Sequence, residues 1–544
     1  MAEEFLVSFA AELILQKVVS SAVEEISLAW GLKGDVKKLN KTLTMLQALL
    51  RDYEKTKVKG EAMTLWLKNL EDVAYHADDV LDEFDYEILR RKVEIRNQMM
   101  KKLGCLKNLR GQLKIYHLEH VRSREEAQKV NLSRNSNIHL LKFHWGEERE
   151  EENNNDEDVL EGLKPHENLK SLTIENFEGE NFPSWVVKMM SHKLYLHNLV
   201  KIKLVNCNKC QQMPTMGHLL SLKVVEIDGM PNLKQIGSEF YGQNHEVASS
   251  SHGATSVAVF PVLRELTLAN MPNLAEWFEA ESLQPSRTVF SQLEKLKIVG
   301  CPQLITAPGH FPSIKQLSIE GINHCSVLAK MCREVSSLTD IELLDVSGST
   351  ELSSMLEKLL VNNNKFLRVL KIERCTELIC LPNKLETLVS LEWLRIWFCD
   401  NLTAIPDLRS LTSLQYLHIA QCEKLTTYWP EGLLCLTTLT TLGIGGFSSE
   451  VDYFPWPSED ITQHLVSLKH LFLHGGPKLK SLPDQLEHLT FLPVLGIFQF
   501  ESLEVIPEWL GDHSIPRLNT AFIIEIVFSP WLHTGCRIHW LLSG

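Results

Sequence analysis

Leu367-Arg-Val-Leu370-Lys-Ile372-Glu-Arg-Cys375-Thr-Glu-Leu378, closing on Leu381-Pro382, is followed by Leu391-Glu-Trp-Leu394-Arg-Ile396-Trp-Phe-Cys399-Asp-Asn-Leu402, closing on Ile405-Pro406. The second copy starts 24 residues after the first. In each copy apolar and polar residues alternate over the first half, the pattern of a half-buried strand. A turn and an irregular return segment complete the unit. One such unit cannot bury its own leucines, so the copies must stack and share a core.

Working outward from this pair, further strand starts fall at Leu169, Leu199, Leu222, Leu263, Leu293, Ile314, Leu338, Leu414, Leu439, Leu468 and Leu492. The consensus L-x-x-L-x-L-x-x-C at this spacing is that of a leucine-rich-repeat solenoid. Cys207, Cys301, Cys375, Cys399 and Cys422 each occupy its small-residue slot. They read as reduced structural thiols rather than half-cystines, which favours a cytosolic or nuclear compartment. The array is expected to begin near Leu103, with irregular early repeats and Ile138–Phe143 as one strand. The acidic run Glu147–Asp158 reads as a solvated loop. The Gly/Ser/His-rich stretch Gly237–Ala258 reads as a second surface loop. Past Ile506-Pro507 the pattern fades. Residues 513–544 are set apart as an atypical tail, although Ala521–Phe528 is apolar and β-prone.

Residues 1–102 have a different period. Val36, Leu39, Leu43, Leu46 and Leu50 step by three and four, as do Trp66, Leu70, Val73, Ala77, Val80 and Phe84, which predicts amphipathic helices. Short connections between them favour a four-helix-type bundle, with an extended coiled coil as the alternative. The fold expected is thus a helical domain at 1–102 followed by an α/β solenoid at 103–512.

A formal charge of −14 argues against a general nucleic-acid binder. No apolar run is long enough to span a bilayer, and the N-terminus lacks the pattern of a secretory signal. Catalytic strings are missing as well: H-E-x-x-H, G-x-S-x-G and kinase-type motifs do not occur. Cys207-x-x-Cys210 would need two further ligands to hold zinc. The expectation is a protein with no catalytic site, metal or cofactor.

Two features resemble the plant intracellular immune receptors built from a coiled-coil domain, a nucleotide-binding module and leucine-rich repeats. One is the segment Trp66-Leu-Lys-Asn-Leu70. The other is Ala77–Phe84, whose Asp78-Asp79-Val80-Leu81-Asp82 is similar to the family's acidic Glu-Asp-Val-Ile-Asp motif. Taken alone, these acids also fit the wet face of an ordinary helix. The resemblance implies an Rx N-terminal-type helical domain that assembles and signals in defence, and repeats that sense a pathogen effector or a guarded host protein. It implies a cytoplasmic location, with nuclear or membrane association on activation, and self-association or pairing with a full-length receptor through the helical domain. It also implies docking of the acidic motif on basic repeat residues, for which Lys201, Lys203, Lys295 and Lys297 are candidates. The family's phosphate-binding G-x-x-x-x-G-K-[ST] string does not occur in the 544 residues, so nucleotide binding is not carried over. A decoy, scaffold or truncated product that binds partners or full-length receptors without signalling is the alternative.

The expected recognition surface is the hollow face. Counting the leading leucine as position one, side chains at three, five and seven point into it. Most are charged in the middle of the array. Towards the C-terminal end they become Trp393, Arg395, Trp397, Tyr416, His418, His470, Phe472 and His474, the composition of exposed binding hot spots.

Overall fold

A computed structural model describes residues 109–504 except 147–154, 188–195, 243–258, 281–288 and a few shorter breaks, together with Ile523–Ile524. The chain separates into two units, Met1–Lys102 and Leu103–Gly544, and every described residue belongs to the second. The helical seams and the acidic motif Asp78–Asp82 lie outside the described residues.

The second unit is built on one parallel sheet with sixteen strands among the described residues, from Gly111–Ile115 to Ile523–Ile524. Each strand pairs with that of the next repeat. From the repeat led by Leu169 to that led by Leu492, every strand begins two residues after its leading aliphatic residue, as Trp393–Trp397 does after Leu391. Most strands therefore occupy positions three to seven, with Gln316–Ile322 and Asp340–Val346 two residues longer, while the leading aliphatic residue is buried in the turn before. Positions four and six alternate inward, giving one buried and one half-buried face in Lys201–Val205, Val369–Glu373 and Trp393–Trp397. Register is kept position by position. Leu370 faces Leu394, which faces Leu417, Leu442, Leu471 and Leu495, so the leucines form a continuous column.

The residue directly after many strands turns through the left-handed region. Asn176, Asn206, Gly229, Asn270 and Gly300 do so, followed by Arg374, Phe398, Gln421, Gly446 and Gln499. Asn and Gly tolerate this conformation best. Asn side chains use it to knit adjacent coils: Asn206 Nδ2 donates to Asn176 Oδ1 at 3.0 Å, and Asn176 Nδ2 donates to the Trp145 carbonyl at 3.0 Å. The slot cysteines lie beneath this turn, all five fully buried. Cys399 Sγ is 3.6 Å from the Trp397 carbonyl and 3.8 Å from that of Ile372, weak bonds within and between coils.

Three return segments differ from the sequence reading. The acidic run does not end as a loop, because Asp156–Gly162 is a helix. Its carboxylates serve as acceptors for the next coil: Asp156 takes Glu178 N–H at 2.9 Å and Glu157 takes Glu180 N–H at 2.7 Å. These two neighbouring charges are tolerated because each finds a backbone donor. The first residues of the Gly/Ser/His-rich stretch form the helical turn Ser238–Tyr241, with Phe240 and Tyr241 fully buried. They pack on a spine in which Phe260, Phe290 and Phe311 stack at 5.4 and 5.6 Å. The return segment after Val346 contains the 15-residue helix Ser349–Asn363. Leu352, Met355, Leu356, Leu359 and Leu360 form its buried stripe. Asn363 ends it fully buried, donating to the Val335 and Leu359 carbonyls and accepting Leu338 N–H at 2.8 Å. At the far end, Ile523–Ile524 pairs with Gly496–Ile497, so the ladder reaches into the segment read as tail.

Candidate protein-interaction surface

The aromatic end of the sheet is organised by three rows running across the strands. Position three reads Val369, Trp393, Tyr416, Thr441, His470 and Val494. Position five reads Lys371, Arg395, His418, Gly443, Phe472 and Gly496; position seven reads Glu373, Trp397, Ala420, Gly445, His474 and Phe498. Large rings thus alternate with Gly and Ala, and the rings lean into the spaces those small residues leave.

The result is a packed cluster rather than a row of free side chains. Trp393 stacks on Tyr416 with centroids 3.5 Å apart and planes 8° from parallel. Trp397 and His474 start three strands apart, roughly 14 Å at about 4.8 Å per strand. Over Ala420 and Gly445 their ring centroids are nevertheless only 6.4 Å apart. His418 lies between them, 5.7 Å from Trp397 and 4.9 Å from His474. Phe498 stacks behind His474 at 5.1 Å. Gly443 is required here, since a Cβ on it would sit 2.6 Å from His418 Nδ1.

This corrects the expectation of eight exposed hot-spot residues. Tyr416, His418 and His474 are buried, at 8%, 5% and 6% exposure. Trp393, Arg395, Trp397, His470 and Phe472 are half-buried and form the accessible part. The signal that would have revealed this is Gly443-Ile444-Gly445, two glycines at positions five and seven of one repeat.

Arg395 joins the cluster to the charged part of the face. Its guanidinium lies 4.0 Å from the Trp397 ring centre, and its Nε is 3.2 Å from Glu373 Oε1, both groups largely shielded from solvent. The N–H of Nε is not aligned on the carboxylate, so the contact is an ion pair rather than a directed hydrogen bond. The Trp393 and Trp397 indole nitrogens, His418 Nε2 and both ring nitrogens of His474 are likewise buried without a hydrogen-bond partner. Burial first, then His474 and Arg395, pushes the His418 pKa well below its usual value. Burial also brings His474 down to about 4; Gln499 works the other way and Arg395 adds to the lowering. Both rings are therefore neutral at pH 7.

The candidate basic residues are partly engaged already. Lys201 pairs with Glu226 Oε1 at 2.6 Å, Lys203 with Glu226 Oε2 at 3.5 Å and Lys295 with Glu265 at 3.7 Å, all across adjacent strands. Lys297 is exposed. Cys207 and Cys210 are both buried and reduced, with Cys210 Sγ donating to the Gly179 carbonyl at 3.2 Å.

Comparison with known proteins follows the same division of the chain. Residues 10–121 match the Rx N-terminal domain, and residues 100–230 match the R13L1/DRL21 leucine-rich repeats. The chain thus carries an Rx N-terminal domain and R13L1/DRL21 repeats and is similar to coiled-coil, leucine-rich-repeat disease resistance proteins. Among its relatives, the putative disease resistance RPP13-like protein 1 of Arabidopsis thaliana is 30% identical over 325 residues, 57% of this chain and 29% of the relative. The putative disease resistance protein RGA1 of Solanum bulbocastanum is 31% identical over 272 residues, 49% of this chain and 24% of the relative. This disease resistance homologue thus spans less than a third of the length of these relatives. Solved structures with similar coils include a leucine-rich-repeat protein of Leptospira interrogans (TM-score 0.33, 17% identity, 65% of this chain and 88% of that one). Another is the plant peptide hormone receptor RGFR1 (TM-score 0.35, 14% identity, 72% and 65%). Among the described residues, no helix is long and apolar enough to cross a membrane.

Proposed function

We propose that the repeats are a non-catalytic recognition surface in plant defence, binding a pathogen effector or a guarded host protein. The half-buried face of Trp393, Arg395, Trp397, His470 and Phe472 makes the contact, and the buried Tyr416, His418 and His474 hold those rings in place. The observation that carries the reading is the pairing of two indoles with an arginine that lies on one of them. Such preorganised aromatic and Arg groups lose little rotamer freedom when a partner seats on them. The proposal divides the chain into a helical domain at 1–102 that signals or self-associates in the cytoplasm, repeats at 103–512, and a tail at 513–544. Substituting Trp393, Trp397 and Phe472 by Ala should weaken partner binding by at least 2 kcal/mol, about 30-fold. Unchanged affinity with the parallel sheet intact refutes the assignment.

A specific observation favours a second reading, a decoy or scaffold. The matched helical and repeat segments overlap at 100–121, so no nucleotide-binding module stands between them. Expression of the full chain in leaf tissue, alone and beside a full-length relative, separates the two. Cell death from the chain alone supports signalling; suppression of the relative's response supports the decoy.

A further inference from the structure

We propose that His117, Glu119 and His120 form a surface site for one divalent transition-metal ion of the zinc class. The three lie on and just before the short turn Leu118–His120, where fully buried Leu118 anchors the backbone. His117 adopts a left-handed conformation (φ 60°), uncommon for a residue with a bulky side chain, and this folds its ring back over the turn. Its Nδ1 then lies 2.9 Å from Glu119 Oε1, while His120 Nε2 lies 3.4 Å from the same oxygen. All three donor atoms fall within 4.8 Å of one another.

These separations suit a cation. Bonds of about 2.0–2.1 Å at tetrahedral angles place donor atoms roughly 3.3 Å apart. Two imidazoles and a carboxylate are a donor set that zinc accepts, with the solvent side left for water. The imidazole side chains are 55% and 38% exposed, so an ion from solvent reaches both rings.

The carboxylate, by contrast, is held from behind. Its side chain is only 12% exposed, and Oε2 accepts the Gly146 N–H at 2.6 Å, leaving Oε1 for the histidines. Hydrogen-bonded carboxylates of this kind are what orient a metal ligand. Gly146 also supplies the room, since a Cβ there would come within 2.8 Å of Oε1. The site thus ties the turn of one coil to Gly146, two residues past the strand Ile138–His144 of the next.

The test is calorimetric titration of the full chain with Zn²⁺, with Co²⁺ substitution read in the visible spectrum. Wild type should bind an ion that His117→Ala/His120→Ala binds about 100-fold more weakly or not at all, and Glu119→Gln at least about 10-fold more weakly. The Co²⁺ complex should show d–d bands without thiolate charge transfer. Because the substituted histidines are exposed, the fold should survive, and circular dichroism checks this. His324→Ala, at another exposed histidine, should bind as wild type does. Equal affinity in wild type and the double variant, or a thiolate-dominated Co²⁺ spectrum, would overturn the proposal and leave the three residues as a His–Glu ion-pair cluster.

Discussion

Acidification from pH 7 to 5 should cost the aromatic end of the ladder about 2 kcal/mol through His474 alone. Its ring is buried, and its pKa stands at about 4 because protonation would bury a charge, a cost that the Gln499 side chain only partly offsets. In the unfolded chain the same ring titrates near 6.5. The unfolded state therefore gains a proton first as the pH falls. The neutral ring carries no penalty above 6.5; stability is lost between 6.5 and about 4, and the loss is complete below that. At 1.36 kcal/mol per pH unit the whole interval amounts to about 3 kcal/mol, of which about 2 has gone by pH 5. His418, depressed by burial and by the same neighbours, adds a loss of the same sign. A repeat array need not unfold in one step, so the appropriate readout is local. Amide hydrogen exchange across His470–His474, corrected for its intrinsic pH dependence, gives the opening free energy at pH 7, 6 and 5. His474→Gln provides the control, because the chain's other 20 histidines are present in both proteins and, of the buried ones, only His418 touches the substituted ring. Wild type should lose about 2 kcal/mol more than the variant over this range. A difference below about 0.5 kcal/mol would mean that the ring takes up its proton in place, and the burial argument would fail.

Three further outcomes test the ladder itself. Alkylation of the native protein should label Cys380 and Cys435, which are exposed, and spare Cys207, Cys301 and Cys375, whose thiols burial holds near 11 or 12; peptide mapping that finds the slot cysteines modified would contradict this. Gly445 has φ +121°, and a Cβ there would meet the His474 carbonyl, so Gly445→Ala should destabilise by about 2 kcal/mol in urea unfolding. Leu394→Ala opens a cavity in the leucine column and should cost about 2–5 kcal/mol, whereas Trp393→Ala, on the half-buried face, should cost less.

The strands were legible because their period is local. Leu391, Leu394 and Ile396 fix one face within six residues, and the same three positions recur through the array with enough regularity to number every strand start from Leu169 to Leu492. Two kinds of information were not local. The helix Ser349–Asn363 is hidden from the repeat pattern because its apolar stripe sits inside the single gap between the strand starts Leu338 and Leu367. The aromatic face was misread for a different reason. Position three, five or seven tells which way a side chain points, but its exposure depends on the same position in the neighbouring coils. His474 is buried because its row neighbours are Gly445 and Phe498, contributed by repeats that start 29 residues earlier, at Leu439, and 24 later, at Leu492. In a solenoid, that information lies in the sequence written as stacked rows, one repeat beneath another. Read that way, Gly443 and Gly445 mark where large neighbours will close over a gap, and the accessible surface begins at the rings bordering it: Trp393, Trp397 and Phe472.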